Sequence, residues 1–96
     1  MKTSNVKEVN LHDYVANTRP WHQLWADDTT AIWFEDTPNG ILPYEVFYCY
    51  RNILCNNEVY TMSHAVCKDL SEAMSTWNNL INNLLDNRRI NKTSCV

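Results

Sequence analysis

The chain has 96 residues, of which 45% are hydrophobic and 20% charged, and its formal net charge is −3. This length and balance predict a single domain over residues 1–96 and exclude a disordered polypeptide. The apolar runs are short, so we expect no membrane span, no secretory signal and a cytoplasmic protein with reduced cysteines. We expect residues 1–10 and 90–96 to be flexible tails.

The charge is unevenly distributed along the chain. Residues 21–72 contain two basic and eight acidic residues, a net charge of −6, whereas residues 73–96 carry a net charge of +2. A nucleic-acid-binding protein normally presents a clustered basic face. The acidic middle of the chain instead favours a basic partner.

The first predicted element is a helical segment from Leu11 to Trp25, broken near Pro20 because proline cannot continue a helix. In such a helix Trp21 and Trp25 lie one turn apart on the same face. The apolar positions of the segment are Leu11, Tyr14, Val15, Trp21, Leu24 and Trp25.

The next predicted element is a strand over residues 29–36, which are rich in aromatic and β-branched side chains. A turn follows at residues 37–40, because Asn39 and Gly40 after a proline favour a tight reversal. The acidic residues that flank this strand are expected to be solvated.

A hairpin is predicted from residues 44–53 and 59–67, with Asn56 and Asn57 as its two-residue turn. This register places Glu45 opposite Lys68, a favourable pair of charges. It also places Cys49 opposite His64.

The last predicted element is an amphipathic helix over residues 70–87. Asp69 and Glu72 have the spacing of a capping box, in which each side chain satisfies a free amide of the first turn. The apolar stripe consists of Leu70, Ala73, Met74, Trp77, Leu80, Ile81 and Leu84.

These elements predict an α+β fold, a three-stranded antiparallel meander with the C-terminal amphipathic helix packed on one face and an N-terminal helical segment. The element order is then α-β-β-β-α. Both faces of the hairpin are apolar, and one helix covers only one of them. The other face must therefore meet the N-terminal segment, a second copy or a partner, and a homodimer is one open alternative.

The cysteine and histidine residues are the candidates for a metal or catalytic site. Three thiols and an imidazole, Cys49, Cys55, His64 and Cys67, are ligands that zinc accepts, but in the predicted register they do not converge. Cys49 beside His64 is the candidate pair for a small hydrolase, although no acid is placed to orient the histidine. With one glycine in the chain, a phosphate-binding loop is excluded. We expect no metal, no cofactor and no enzymatic activity.

A nucleic-acid module is the main alternative. The α-β-β-β-α order resembles double-stranded-RNA-binding domains, in which basic residues at the start of the last helix contact phosphates. Here residues 68–72 are largely acidic. This alternative therefore depends on Arg51, Arg88 and Arg89.

Protein binding is the function class that remains. The chain is 11% aromatic, and tryptophan and tyrosine dominate interface hot spots. An acidic surface with interspersed aromatic residues suits a basic partner, and reversing the charge of its acids is expected to abolish binding without unfolding the chain. The predicted partner-binding residues are Trp21, Trp25, Asp27, Asp28, Glu35 and Asp36, with Tyr48 and Tyr50 in second place.

At the level of class, the chain resembles the small phage-encoded inhibitors of host defence, anti-CRISPR proteins among them. The resemblance rests on the length, the negative charge, the thirteen asparagines and the organisation of residues 29–87. It implies a non-enzymatic inhibitor that occupies, stoichiometrically, a surface of a host protein or nucleoprotein complex.

Overall fold

The fold is taken from a computed structural model of the chain, which describes residues 10–37, 41–52, 54, 56 and 58–94, with side chains as far as residue 88. The predicted α+β class is confirmed. The described residues form four strands, however, where the sequence predicted three. In chain order the elements are α1 (Leu11–Thr18), β1 (Trp21–Ala26), β2 (Thr30–Asp36), β3 (Tyr44–Asn52), β4 (Glu58–Cys67) and α2 (Leu70–Ser94).

The strands form one antiparallel sheet in the order β1-β2-β3-β4. The two helices cover opposite faces: α1 packs over β1 and β2, and α2 packs over β2, β3 and β4. Successive residues of a strand point to opposite faces, so β2 contributes to two apolar layers and is buried from Thr30 to Glu35. We call the two sides of the sheet the α1 face and the α2 face.

The additional strand, β1, corrects the predicted N-terminal helix. Asn10 caps α1, its side chain accepting a hydrogen bond from the amide of Asp13 at 2.8 Å. The helix ends at Thr18, before Pro20, and the chain continues as a strand paired with β2. Pairing with β2 outweighs the helical spacing of the apolar residues in this segment, because that spacing also fits a strand that is apolar on both faces.

A β-bulge between Trp21 and Gln23 shifts the register of β1. As a result Trp21 lies opposite Glu35 and Trp25 lies opposite Ile32, which belong to different faces of the sheet. The prediction that the two tryptophans share one face is therefore wrong.

The predicted hairpin is present, but in a different register. Glu45 pairs with Val66 and Cys49 pairs with Thr61, and a bulge lies opposite Val46 and Phe47. The strands end at Asn52 and resume at Glu58, so the connection is longer than the two residues on which the predicted register depended. The predicted Glu45–Lys68 pair does not form; Glu45 instead accepts a hydrogen bond from the Ser63 hydroxyl at 2.6 Å.

The C-terminal helix begins as predicted and extends further. The amide of Glu72 donates to Asp69, and the Glu72 carboxylate accepts from the amide of Lys68, at 2.8 and 2.9 Å. The helix continues to Ser94, beyond the predicted end at residue 87. Residues 1–9, 38–40 and 95–96, on which predicted tails and turns fall, lie outside the described residues.

Two apolar layers hold the helices to the sheet. Between α1 and the sheet the buried residues are Leu11, Val15, Ala31, Trp33 and Cys49. Between α2 and the sheet they are Ile32, Phe34, Val46, Cys67, Ala73 and Ile81. Over the described part of the chain, neither helix has the length and apolar content of a membrane span.

Candidate functional site

The turn between β1 and β2 is closed by an ion pair with the C-terminal helix. Arg88 donates to the Asp27 carboxylate and to the hydroxyls of Thr29 and Thr30, the latter two at 3.2 and 3.1 Å. The other Asp27 oxygen accepts from the amides of Thr29 and Thr30 at 3.0 and 2.9 Å. Burial opposes ionisation of Asp27, but the bonds from Arg88 and the two amides outweigh it and lower the pKa of the carboxyl.

Glu35 is not on the surface. It is 6% exposed, and its carboxylate accepts hydrogen bonds from Arg19 at 2.6 and 3.1 Å and from the indole N–H of Trp33 at 2.6 Å. The hydrogen bond to Glu35 raises the pKa of Arg19. The guanidinium also lies 5.0 Å from the ring centre of Phe47. Arg19 and Glu35 thus join the end of α1 to the sheet.

The structure therefore disperses the predicted acidic surface. Asp27 and Glu35 are held by arginines, whereas Asp28 and Asp36 are exposed. The Asp36 carboxylate lies 2.8 Å from the ring nitrogen of His22. Reversing all four charges would remove two structural ion pairs, so we expect such a variant to lose stability.

The two predicted tryptophans lie in different environments. Trp21 is 41% exposed, and its indole N–H donates to the Ala16 carbonyl at 3.4 Å. Trp25 is half-buried and packs against the apolar layer beneath α2. Of the pair, Trp21 is the one that a partner can reach.

The remaining predicted residues, Tyr48 and Tyr50, belong to a continuous row of side chains on the α2 face. The rings of Tyr48 and Tyr50 stack with centres 6.4 Å apart, and Tyr50 lies 5.6 Å from Tyr60 of β4. The Tyr48 hydroxyl donates to the sulfur of Met62 at 3.4 Å. We call Tyr48, Tyr50, Tyr60 and Met62 the tyrosine row.

The tyrosine row is accessible because α2 crosses the sheet diagonally. The helix starts just after β4 ends, its Trp77 indole donates to the Ile32 carbonyl at 2.9 Å, and Arg88 reaches the β1–β2 turn at the opposite corner. The corner formed by the end of β3 and the start of β4 is left uncovered by the helix. There Tyr60 is 39% and Met62 46% exposed.

The sequence predicted half of this row. Tyr48 and Tyr50 are predicted to share a face because alternate residues of a strand do so, and their stacked rings confirm it. Tyr60 and Met62 were missed because the predicted register placed Ile53 opposite Tyr60, whereas Tyr50 pairs with Tyr60 and Tyr48 with Met62. Finding Tyr60 and Met62 requires knowing which residues of β4 lie opposite Tyr48 and Tyr50.

The cysteine and histidine candidates are not brought together. Cys49 is buried on the α1 face opposite Thr61, while Cys67 is buried on the α2 face opposite Tyr44. Burial raises the pKa of the Cys49 thiol to about 11, so it is protonated near neutral pH. Cys55 lies outside the described residues, and within them no three potential metal ligands form a group.

The cations of the nucleic-acid alternative are also partly engaged. Arg88 is bound to Asp27, and the Arg89 side chain lies outside the described part of the structure. The predicted α-β-β-β-α order is itself wrong, because β1 adds a strand before the meander.

Comparisons of the chain with protein-family models, with curated proteins and with solved structures gave no match.

Proposed function

We propose that this protein acts by binding another protein through the tyrosine row, without catalysing a reaction. The observation that carries the proposal is the uncovered corner of the α2 face, where aromatic side chains and a methionine lie side by side. Tyrosine contributes a large, rigid contact area with a polar end, and methionine adapts its shape to a partner. A contiguous exposed patch of this kind is a recognised mark of an interface.

The hydrogen bonds that hold the side chains of the tyrosine row in place support the proposal. The Tyr60 hydroxyl donates to the Glu58 carboxylate at 2.7 Å, and Tyr48 is held by Met62, so several of these side chains are positioned before a partner arrives. A preorganised surface loses less conformational entropy on binding. Glu58 also gives the row an acidic border, which suits a basic group on the partner.

The partner class follows from the resemblance to phage-encoded inhibitors of host defence. The protein would then be a stoichiometric inhibitor, and its partner a host protein or nucleoprotein complex in the cytoplasm. Trp21, Asp28 and Asp36 also remain exposed, but Asp28 lies in the β1–β2 turn and the other two lie at the opposite end of that hairpin, so Trp21 is the second candidate contact residue.

The proposal is tested by affinity capture with the tagged full-length chain from nuclease-treated lysate of candidate host bacteria. The variants are Tyr60→Ala and its matched control Trp21→Ala, two aromatic truncations at side chains of similar exposure. We expect one protein or complex to be retained in stoichiometric amount by the wild type and by Trp21→Ala. Tyr60→Ala should lose it, because truncating a central aromatic contact weakens binding by about 2 kcal/mol or more.

Retention by Tyr60→Ala together with loss by Trp21→Ala would move the interface to the β1–β2 side. Retention that disappears after nuclease treatment would favour the nucleic-acid alternative, which depends on Arg51, Arg88 and Arg89.

A further inference from the structure

The two outer strands of the sheet differ in how they are protected from pairing with another strand. β1 has six residues, follows Pro20, contains a bulge and lies under α1. These are the usual devices that prevent edge-to-edge association. β4 has ten residues, and no described residue pairs with its outer edge.

The first half of β4 lacks the residues that usually prevent an edge strand from pairing with another strand. Residues 59–66 contain no lysine, arginine, acid, proline or glycine. The bulge of β4 lies at His64, opposite the step from Val46 to Phe47. Residues 58–63 therefore form a regular, uncharged and largely exposed edge after the initial Glu58.

We propose that this edge pairs, antiparallel, with the same edge of a second copy of the chain, and that the twofold axis passes beside Thr61. A second copy fits because the edge is complementary to itself in this register. Residues whose numbers sum to 122 then lie opposite each other, so each pair joins two side chains of the same face.

The resulting pairs are favourable on both faces. Tyr60 of one copy lies opposite Met62 of the other, a sulfur–aromatic contact. On the other face Thr61 lies opposite Thr61. No two like charges face each other, because residues 59–63 contain no charged side chain.

Dimerisation also changes the binding surface. The two sheets become one eight-stranded sheet, and the tyrosine rows of the two copies meet at the twofold axis. The consequence for partner recognition rests on the proposed function, whereas the dimer itself does not. A dimer offers one continuous surface with two equivalent halves, and a partner with matching symmetry gains from both.

The first test is the mass of the purified full-length chain in solution, measured by sedimentation equilibrium at concentrations up to about 1 mM. We expect twice the 11.3 kDa of one chain. Thr61→Lys should raise the dissociation constant roughly tenfold or more, because two like charges then lie directly opposite each other. Gln23→Lys, an exposed position on the other outer strand, is the matched control and should leave the dimer unchanged.

The register is tested by a cross-link at the twofold axis. Opposed residues of antiparallel strands have Cα atoms about 4.5–5.5 Å apart, which a disulfide can bridge. In a chain with Cys55→Ser and Cys95→Ser, Thr61→Cys should therefore form a covalent dimer on mild oxidation, and Gln23→Cys should not.

A mass of one chain at every concentration would overturn the proposal and leave the β4 edge to a strand of another protein. A dimer that Thr61→Lys does not weaken would overturn it equally, since the interface would lie elsewhere. Neither measurement involves the partner. A failed dimer with Tyr60-dependent capture would thus leave the proposed function standing, and a dimer without capture would do the reverse.

Discussion

The two hairpins of the sheet are held in different ways. The β1–β2 hairpin is fixed by side chains from outside it: Arg19 at the end of α1 binds Glu35, and Arg88 of α2 binds Asp27. The β3–β4 hairpin is held by backbone pairing and by apolar packing, and α2 leaves its outer corner uncovered. The difference shows that acids which look like a recognition surface in the sequence stabilise the fold, while tyrosines remain available at the surface.

The largest expected loss of stability comes from removing the carboxylate of Glu35, which holds the β1–β2 hairpin to α1. We expect Glu35→Ala to lower the free energy of unfolding by roughly 3 kcal/mol. The substitution leaves the buried Trp33 N–H unpaired and breaks a buried ion pair, an effect reduced because Arg19 is partly exposed to solvent. Urea unfolding at pH 7 measures the loss. Asp36→Ala, at the next residue, is the control and should cost less than about 0.5 kcal/mol, since its partner His22 is exposed. Equal losses would show that Glu35 has no special structural role.

The second prediction concerns the ion pair of Asp27. Asp27→Asn should cost about 1 kcal/mol at pH 7, because the amide oxygen still accepts from the turn while the charge that holds Arg88 is lost. The pKa of Asp27 is lower in the folded chain than its ordinary value of 3.8. Its stabilising effect is therefore complete above that value and is lost as the pH falls through the folded-state pKa.

The measurement for Asp27 is urea unfolding of wild type and variant between pH 7 and pH 3. The gap between the two should narrow at the acidic end. Asp28→Asn, an exposed neighbour with the same change of charge, should match the wild type at every pH. A gap that widens in acid would mean that folding raises the pKa of Asp27 instead of lowering it.

The third prediction concerns Tyr60, which lies in the β3–β4 hairpin. Tyr60→Ala should lower the free energy of unfolding by less than about 1 kcal/mol, because the ring is exposed and its hydroxyl donates to the carboxylate of Glu58 at the surface. The same variant is expected to lose the partner. Thermal and urea unfolding supply the stability, and a loss above about 2 kcal/mol would assign Tyr60 to the core instead of the interface.

The smallest expected effect is the reaction of Cys49 with alkylating reagents in the folded chain. With a pKa of about 11, roughly one thiol in a thousand is ionised at pH 8, and the side chain is buried. N-ethylmaleimide followed by peptide mass spectrometry should label Cys49 only after unfolding in urea. Fast native labelling that slows in His64→Ala would instead support the hydrolase alternative.

The sequence was sufficient for the elements whose local signals agree with their tertiary setting. The α2 helix combines a capping box at Asp69 and Glu72 with an apolar stripe, and β2 combines β-branched and aromatic residues before a turn. Each of these signals acts over a few residues. Local reasoning therefore reproduced them, apart from the extension of α2 to Ser94.

What could not be predicted depends on contacts between distant residues. The apolar spacing of Trp21, Leu24 and Trp25 fits both a helix and a two-faced strand, and only the neighbouring β2 decides between them. A longer hairpin connection changed the partner of Cys49 from His64 to Thr61. The same change places Tyr60 beside Tyr50. The tyrosine row can therefore be recognised only when the register of β3 and β4 is known.

The contact of Arg88 with Asp27 joins residues 61 positions apart, and this separation has a consequence for biosynthesis. The β1–β2 turn is translated first, and the side chain that binds it is added 61 residues later. At about 5–20 residues per second, the nascent hairpin waits roughly 3–12 s for Arg88 to be added. During translation the turn therefore depends on its own Asp27 hydrogen bonds, and the contact with Arg88 forms once α2 leaves the ribosome.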